Sequence, residues 1–250
     1  MGNAVQRLSF VLIAASALSV APLETTFAQP RDIHAEIWRL ELGTPVSELP
    51  PQYLDPHCAT NGGPPSLRLD GWAEYSRCPL DAATGLHELW FTEDDEIEYV
   101  GLAYKTRGAE PGPGAANLFL QHKMIYSLLI DDQGFVQGYR AFTDPREPSS
   151  IRVDADFVGD GMRGLYGYTA FECQDLPPDE GETPIRGRFV KQICVAVVDG
   201  RHITIERHSF RKPGQTEVDP VLGNATDGAF DSSTRVEVIA VDLFRDAAAP

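Results

Sequence analysis

Basic residues are scarce in this chain. Lys+Arg total 21 against 37 Asp+Glu, a formal net charge of -16, and no run of Lys or Arg gathers into a patch. Nucleic acid and anionic lipid surfaces repel such a chain, so neither is an expected partner, and a basic protein fits better. Long apolar runs are missing beyond the N-terminus, which excludes a transmembrane anchor in the mature chain. Catalytic signatures are missing as well. No G-x-S-x-G, H-E-x-x-H, G-x-x-x-x-G-K-[ST] or C-x-x-C-H string occurs, removing the ordinary serine-hydrolase, zincin, P-loop and c-haem readings.

What is present starts with an export signal. Arg7 precedes an almost uncharged stretch, Leu8 to Leu23, and small residues stand at Thr26 and Ala28. This is the order of a basic n-region, an apolar h-region and a cleavage site, so residues 1–28 read as a signal peptide cut after Ala28. A periplasmic or secreted product of about 220 residues follows, long enough for one large domain or two small ones with a real core.

In that compartment the four cysteines, Cys58, Cys78, Cys173 and Cys194, read as structural disulfides. Their even spacing within each half favours Cys58 with Cys78 and Cys173 with Cys194. A shared zinc ion is the weaker reading, because no pair has the close spacing that lets two thiolates hold one metal.

Hydrophobic patterning predicts an α+β fold, mostly antiparallel sheet built from hairpins under one or two covering helices. Met124–Ile130 and Phe135–Phe142 flank Asp131-Asp132-Gln133-Gly134, and Arg188–Val198 and Arg201–Phe210 flank Asp199-Gly200. Both are hairpin patterns, the second with the strongest short turn signal. Leu86–Phe91 reads as a short strand and Arg235–Phe244 as a closing one. Thr92-Glu93-Asp94-Asp95 resembles a capping box and predicts a helix over Glu93–Lys105. Ile33–Leu42 fits helix or strand, Gly43–Pro65 reads as a loop, and in Ile151–Leu165 an apolar stripe is opposed by Gly159, Gly161 and Gly164.

An echo of Gly71-Trp72-Ala73-Glu74-Tyr75 in Gly167-Tyr168-Thr169-Ala170-Phe171 suggests two related halves, about 33–148 and 149–246, within a single exported domain, 29–250. The octet Leu42–Leu49 resembles the opening of helix-plus-hairpin repeats in bacterial envelope modules related to β-lactamase-inhibitor proteins. No family is assigned on so short a stretch.

The remaining motifs are partial. Ser209-Phe210-Arg211-Lys212 matches S-x-x-K, but its Ser ends a predicted strand instead of opening a helix. His202, Glu206 and His208 share one face of that strand. Same-face neighbours lie about 6.6 Å apart, so Glu206 and His208 reach one ion and His202 does not. A two-residue turn would set Lys191 opposite His208 and Ile193 opposite Glu206, a solvated charged face. Asp154 to Asp160 begins like a calcium loop and then fails at Val158 and Leu165. Asn224-Ala225-Thr226 is a glycosylation sequon.

Catalytic residues are therefore not assigned, no metal ligand is claimed and no cofactor is expected. A non-enzymatic module for a protein or envelope component ranks first, with Trp38, Trp72 and Trp90 as candidate partner-binding residues. Second comes a small secreted hydrolase with a dispersed His/carboxylate site near His57 or His87.

Overall fold

The computed structural model describes residues 36–93, 118–215 and 229–243, all within one compact unit, Asp32–Pro250. The expected signal peptide, the sequon at Asn224 and most of the helix expected over Glu93–Lys105 lie outside the described residues. Glu93 itself belongs to a strand, paired with Tyr53.

The elements are α1 (Glu36–Arg39), β1 (Tyr53–Cys58), β2 (His87–Glu93), β3 (Leu118–Phe119), β4 (His122–Ile130), β5 (Val136–Thr143), α2 (Ser149–Arg152), α3 (Phe157–Tyr166), β6 (Glu172–Asp175), β7 (Val190–Val198), β8 (Arg201–Phe210) and β9 (Asp231–Ala240). Eight strands run β1-β2-β4-β5-β9-β8-β7-β6 in one sheet, with β3 branching off β4. Every pairing is antiparallel. The expected antiparallel, hairpin-built sheet is thus present, with few helices beside it.

Both hairpins form. Asp199 and Gly200 adopt φ of 48° and 73°, the left-handed pair that a two-residue turn between twisted strands requires. The hairpins do not touch directly. β9 enters between β5 and β8, so residues 33–148 supply β1-β2-β4-β5 and residues 149–246 supply β6 to β9 on the other side of one seam. Apolar on both faces, β4 lies between β2 and β5, where neither edge meets water.

Two strands contradict their sequence. β6 takes in Gln174 and Asp175, the start of a polar, Pro-rich stretch, Gln174–Pro184, that reads as a loop. β1 lies inside the stretch expected as loop, Gly43–Pro65. Pro56 lacks an N–H, and Asp55 at φ 50° breaks the register between Leu54 and His57, so the alternation that marks a strand is lost at a bulge. Residues 66–69 then cover its outer edge, through Cys58 N–H to Leu67 O at 2.8 Å and Leu69 N–H to Pro56 O at 2.9 Å.

Alternation along the strands divides the sheet into an inner and an outer face. Leu89, Tyr126, Leu128, Tyr139, Val236, Val238, Ile203 and Ile205 build the inner one. Ile37, Trp38 and Leu40 of the α1 segment cover it, together with Val158 and Met162 of α3. The Trp38 ring packs edge-on against Phe119, Tyr126 and Tyr139 with centroids 5.6, 5.6 and 5.8 Å away. Gly159 lets α3 approach the sheet, because a Cβ there would come within 2.6 Å of the Arg207 side chain. That close approach explains how a glycine-bearing segment forms a helix.

Disulfides join Cys58 to Cys78 and Cys173 to Cys194. Among the described residues no helix is long and apolar enough to cross a membrane.

Candidate functional site

The outer face of the sheet changes character at the seam. Over β2, β4 and β5 it is charged and covered. Arg140 is fully buried there, with Nη2 3.0 Å from Asp81, Nη1 3.1 Å from Glu88 and Nε 2.7 Å from Glu237. Glu88 also accepts hydrogen bonds from Ser127 Oγ at 2.7 Å and from the Asn61 N–H at 2.9 Å. Burial alone would lower the Arg140 pKa, but the surrounding carboxylates hold it above its ordinary value. The cluster ties the 59–66 and 79–86 loops to the sheet. The sequence carries a partial signal for it: Glu88 precedes the apolar Leu89 of β2, Arg140 stands between apolar residues of β5, and Glu237 between Val236 and Val238 of β9.

Toward β7 the described residues leave the same face uncovered, although His202 of β8 and Ile239 of β9 on that face are buried. Ile193, Val195 and Val197 line up on β7, none of them buried, with Val197 63% exposed. The expected register holds, with Lys191 opposite His208 and Ile193 opposite Glu206. On the neighbouring strand Arg235 faces Glu206 and Ser233 faces His208. Glu206, His208, Ser233, Arg235 and Phe142 line an open groove of about 270 Å³. Arg235 is anchored there, 3.1 Å from Glu237 and 5.2 Å above the Phe142 ring. Glu206 makes no ion pair among the described residues.

Other sequence candidates are used for structure. His202 shares this face but is buried, and burial lowers its pKa while Glu237 pulls it upward. No group of three or more metal-ligating side chains occurs among the described residues. Asp156, in the partial calcium loop, is buried against Arg188 and Arg207, and Asp160 binds Arg207 at 2.7 Å. Burial raises the Asp156 pKa more than those arginines lower it. Ser209 is a buried residue of β8, and Lys212 is held by Asp231 at 2.6 Å, so the S-x-x-K string has no helical geometry.

His57 turns Nδ1 to the Asp55 carbonyl at 2.7 Å and packs edge-on to Trp90. His87 bridges the Cys78 carbonyl at 2.6 Å and Asp132 at 3.2 Å, clamping the β4–β5 turn against the first disulfide. Trp38 is enclosed by the core. Trp72, half-buried, donates to the Tyr53 carbonyl at 3.2 Å, and Trp90 is half-buried on the outer face. One further string, Gly159-Asp160-Gly161-Met162-Arg163-Gly164, has the glycine spacing of a dinucleotide fingerprint. It lies wholly within α3 and does not follow a strand, so that fingerprint's context is absent.

No known protein family, no curated protein and no solved structure matches this chain.

Proposed function

We propose that this chain is a non-enzymatic exported binding module whose docking surface is the outer face of β7, β8 and β9. One observation carries the reading. The inner face is sealed by α1 and α3, whereas the outer one presents Ile193, Val195 and Val197 to solvent beside an open groove. One exposed and two partly exposed branched aliphatics on a sheet face, rimmed by charge, suit a protein or envelope component. Cleavage after Ala28 would deliver the protein to the periplasm or medium, a compartment in which two disulfides persist. Trp90 lies on β2, beyond the covered β4 and β5, and is a contact residue separate from that surface. The four-strand sets on either side of the seam are read as related halves, each carrying one disulfide that starts on its edge strand.

Crosslinked capture from the native extracytoplasmic fraction, read by mass spectrometry, tests this. A reproducible partner is expected with the wild-type protein and not with Val197→Asp, which places a charge in the stripe without touching the core.

A hydrolase is the second reading, favoured by His208, Glu206 and Ser233 sharing one groove. Turnover of an ester or peptide that disappears in His208→Ala would replace the first reading.

A further inference from the structure

Resting on the docking-face reading, we infer that the partner presents an extended basic segment, and that this segment adds to the open edge of β6 as an additional strand.

The two edges of the sheet are treated differently. Residues 66–69 cover β1, whereas among the described residues β6 pairs with β7 alone. All four of its side chains are exposed. Phase decides which backbone groups point away. Leu176 N–H donates to Lys191 O at 2.6 Å, and hydrogen-bonded pairs alternate along antiparallel strands, so Glu172 and Gln174 direct their groups to β7. Cys173 and Asp175 turn theirs outward. The Cys173–Cys194 Cα separation of 4.0 Å belongs to the close, non-hydrogen-bonded pair that this phase requires. Because the disulfide holds β6 in place, the edge is ordered before anything binds, which reduces the cost of pairing.

Charge selects the occupant. Glu172 and Asp175 lie on the strand itself, with Asp179, Glu180 and Glu182 just beyond. Lys191 is shared by Asp179 and Glu182, at 2.7 and 3.0 Å. Glu172 and Glu180 have no ion pair among the described residues, and Asp175 is bonded only to the Gln192 amide, at 2.7 Å. A second copy is disfavoured. Pairing two β6 strands through their outward groups would bring two copies of Glu172 and Asp175 together, with Asp175 directly opposite Asp175 in one of the allowed registers, and like charges on neighbouring strands destabilise a sheet. The same carboxylates attract lysine or arginine, and the main chain of a strand supplies donors and acceptors for Cys173 and Asp175. Glu172 shares the outer face with its partner Val195, so side chains of the added strand beside Glu172 would extend the docking face by one strand.

A fluorescein-labelled peptide of alternating lysine and valine, titrated into the disulfide-bonded full chain and followed by anisotropy, tests the inference. Binding that weakens with salt is expected, with slowed amide exchange at Cys173 and Asp175. A peptide of alternating glutamate and valine should not bind. Asp175→Pro removes one outward N–H and no ladder bond, and should weaken binding about tenfold, whereas Asp175→Asn, which keeps the N–H, should weaken it less. Retained disulfides and circular dichroism establish that each variant is folded. Equal binding of both peptides, or no effect of Asp175→Pro, overturns the inference. Native partner capture lost in Val197→Asp yet unchanged in Asp175→Pro overturns the edge pairing and leaves the docking face standing. Capture unchanged in both overturns the two together.

Discussion

Arg140 on β5 donates from Nε to Glu237 on β9 at 2.7 Å, across the seam where the two sets of four strands meet. The same guanidinium holds Asp81 and Glu88. Arg140→Met would take the counter-charge from Asp81 and Glu88 and leave Glu237 with Arg235 alone. Removing one partner of a buried pair costs about 3–5 kcal/mol, so urea unfolding should show a loss of that size. A loss below about 1 kcal/mol, the scale of surface pairs, would mean that the cluster opens to water.

Asp81 gives this cluster a pH signature. Burial pushes its pKa up, but bonds from Arg140 and Thr84 outweigh burial and hold it below the ordinary value. A depressed folded pKa contributes stability above the unfolded value of about 3.9, and that stability is lost as pH falls through the lower folded value. Asp81→Asn should cost about 1.5–3 kcal/mol at neutral pH, the worth of a hydrogen bond to a charged group. Wild-type and variant stabilities should converge in acid. A gap that persists below the carboxylate range would assign the loss to packing instead.

Cys173 and Cys194 close a loop of sequence separation 21 on an edge strand. Replacing both with alanine should lower stability by about 3 kcal/mol. The local effect is more telling, because β6 has few other contacts to hold it. Hydrogen exchange should accelerate at β6 and the adjoining part of β7 and stay slow in β4. Uniform acceleration across the sheet would contradict a local role.

Two glycines of α3 should respond with opposite sign. Ala at Gly159 meets Arg207 Cγ at 2.6 Å, and Arg207 is fixed by Asp156, Asp160 and Gln192. Overpacking there should destabilise by about 1–3 kcal/mol, more than the helix gains by losing a glycine. Gly164 faces only the exposed Tyr168 ring, with its hydroxyl 3.1 Å away and free to swing aside. Gly164→Ala should therefore stabilise by about 0.5–1 kcal/mol. Thermal unfolding of the two variants measures both signs.

The hairpins were legible in sequence because their determinants are local: Asp199-Gly200 tolerates left-handed backbone, and apolar residues alternate on either side. Cysteine pairing was legible for the same reason, each bridge closing a short segment. β1 was not, since a bulge and a proline erase its alternation and its pairing partner, β2, lies beyond a long loop. Of the three tryptophans, composition cannot tell a core ring from a contact ring. Trp38 went to the core because Phe119, Tyr126 and Tyr139 converge on it from three strands.

By itself, the sequence determined acidity, the hairpins with their turns and the register of β7 on β8, all set by neighbours in the chain. Only tertiary structure decided that β9 enters between the hairpins, that Arg140 gathers carboxylates from β2, β9 and a loop, and that among the described residues nothing covers the outer face of β7 or the edge of β6. Those relations join residues far apart in sequence. Their energies come from burial and charge pairing, and both depend on which surfaces the completed sheet brings together.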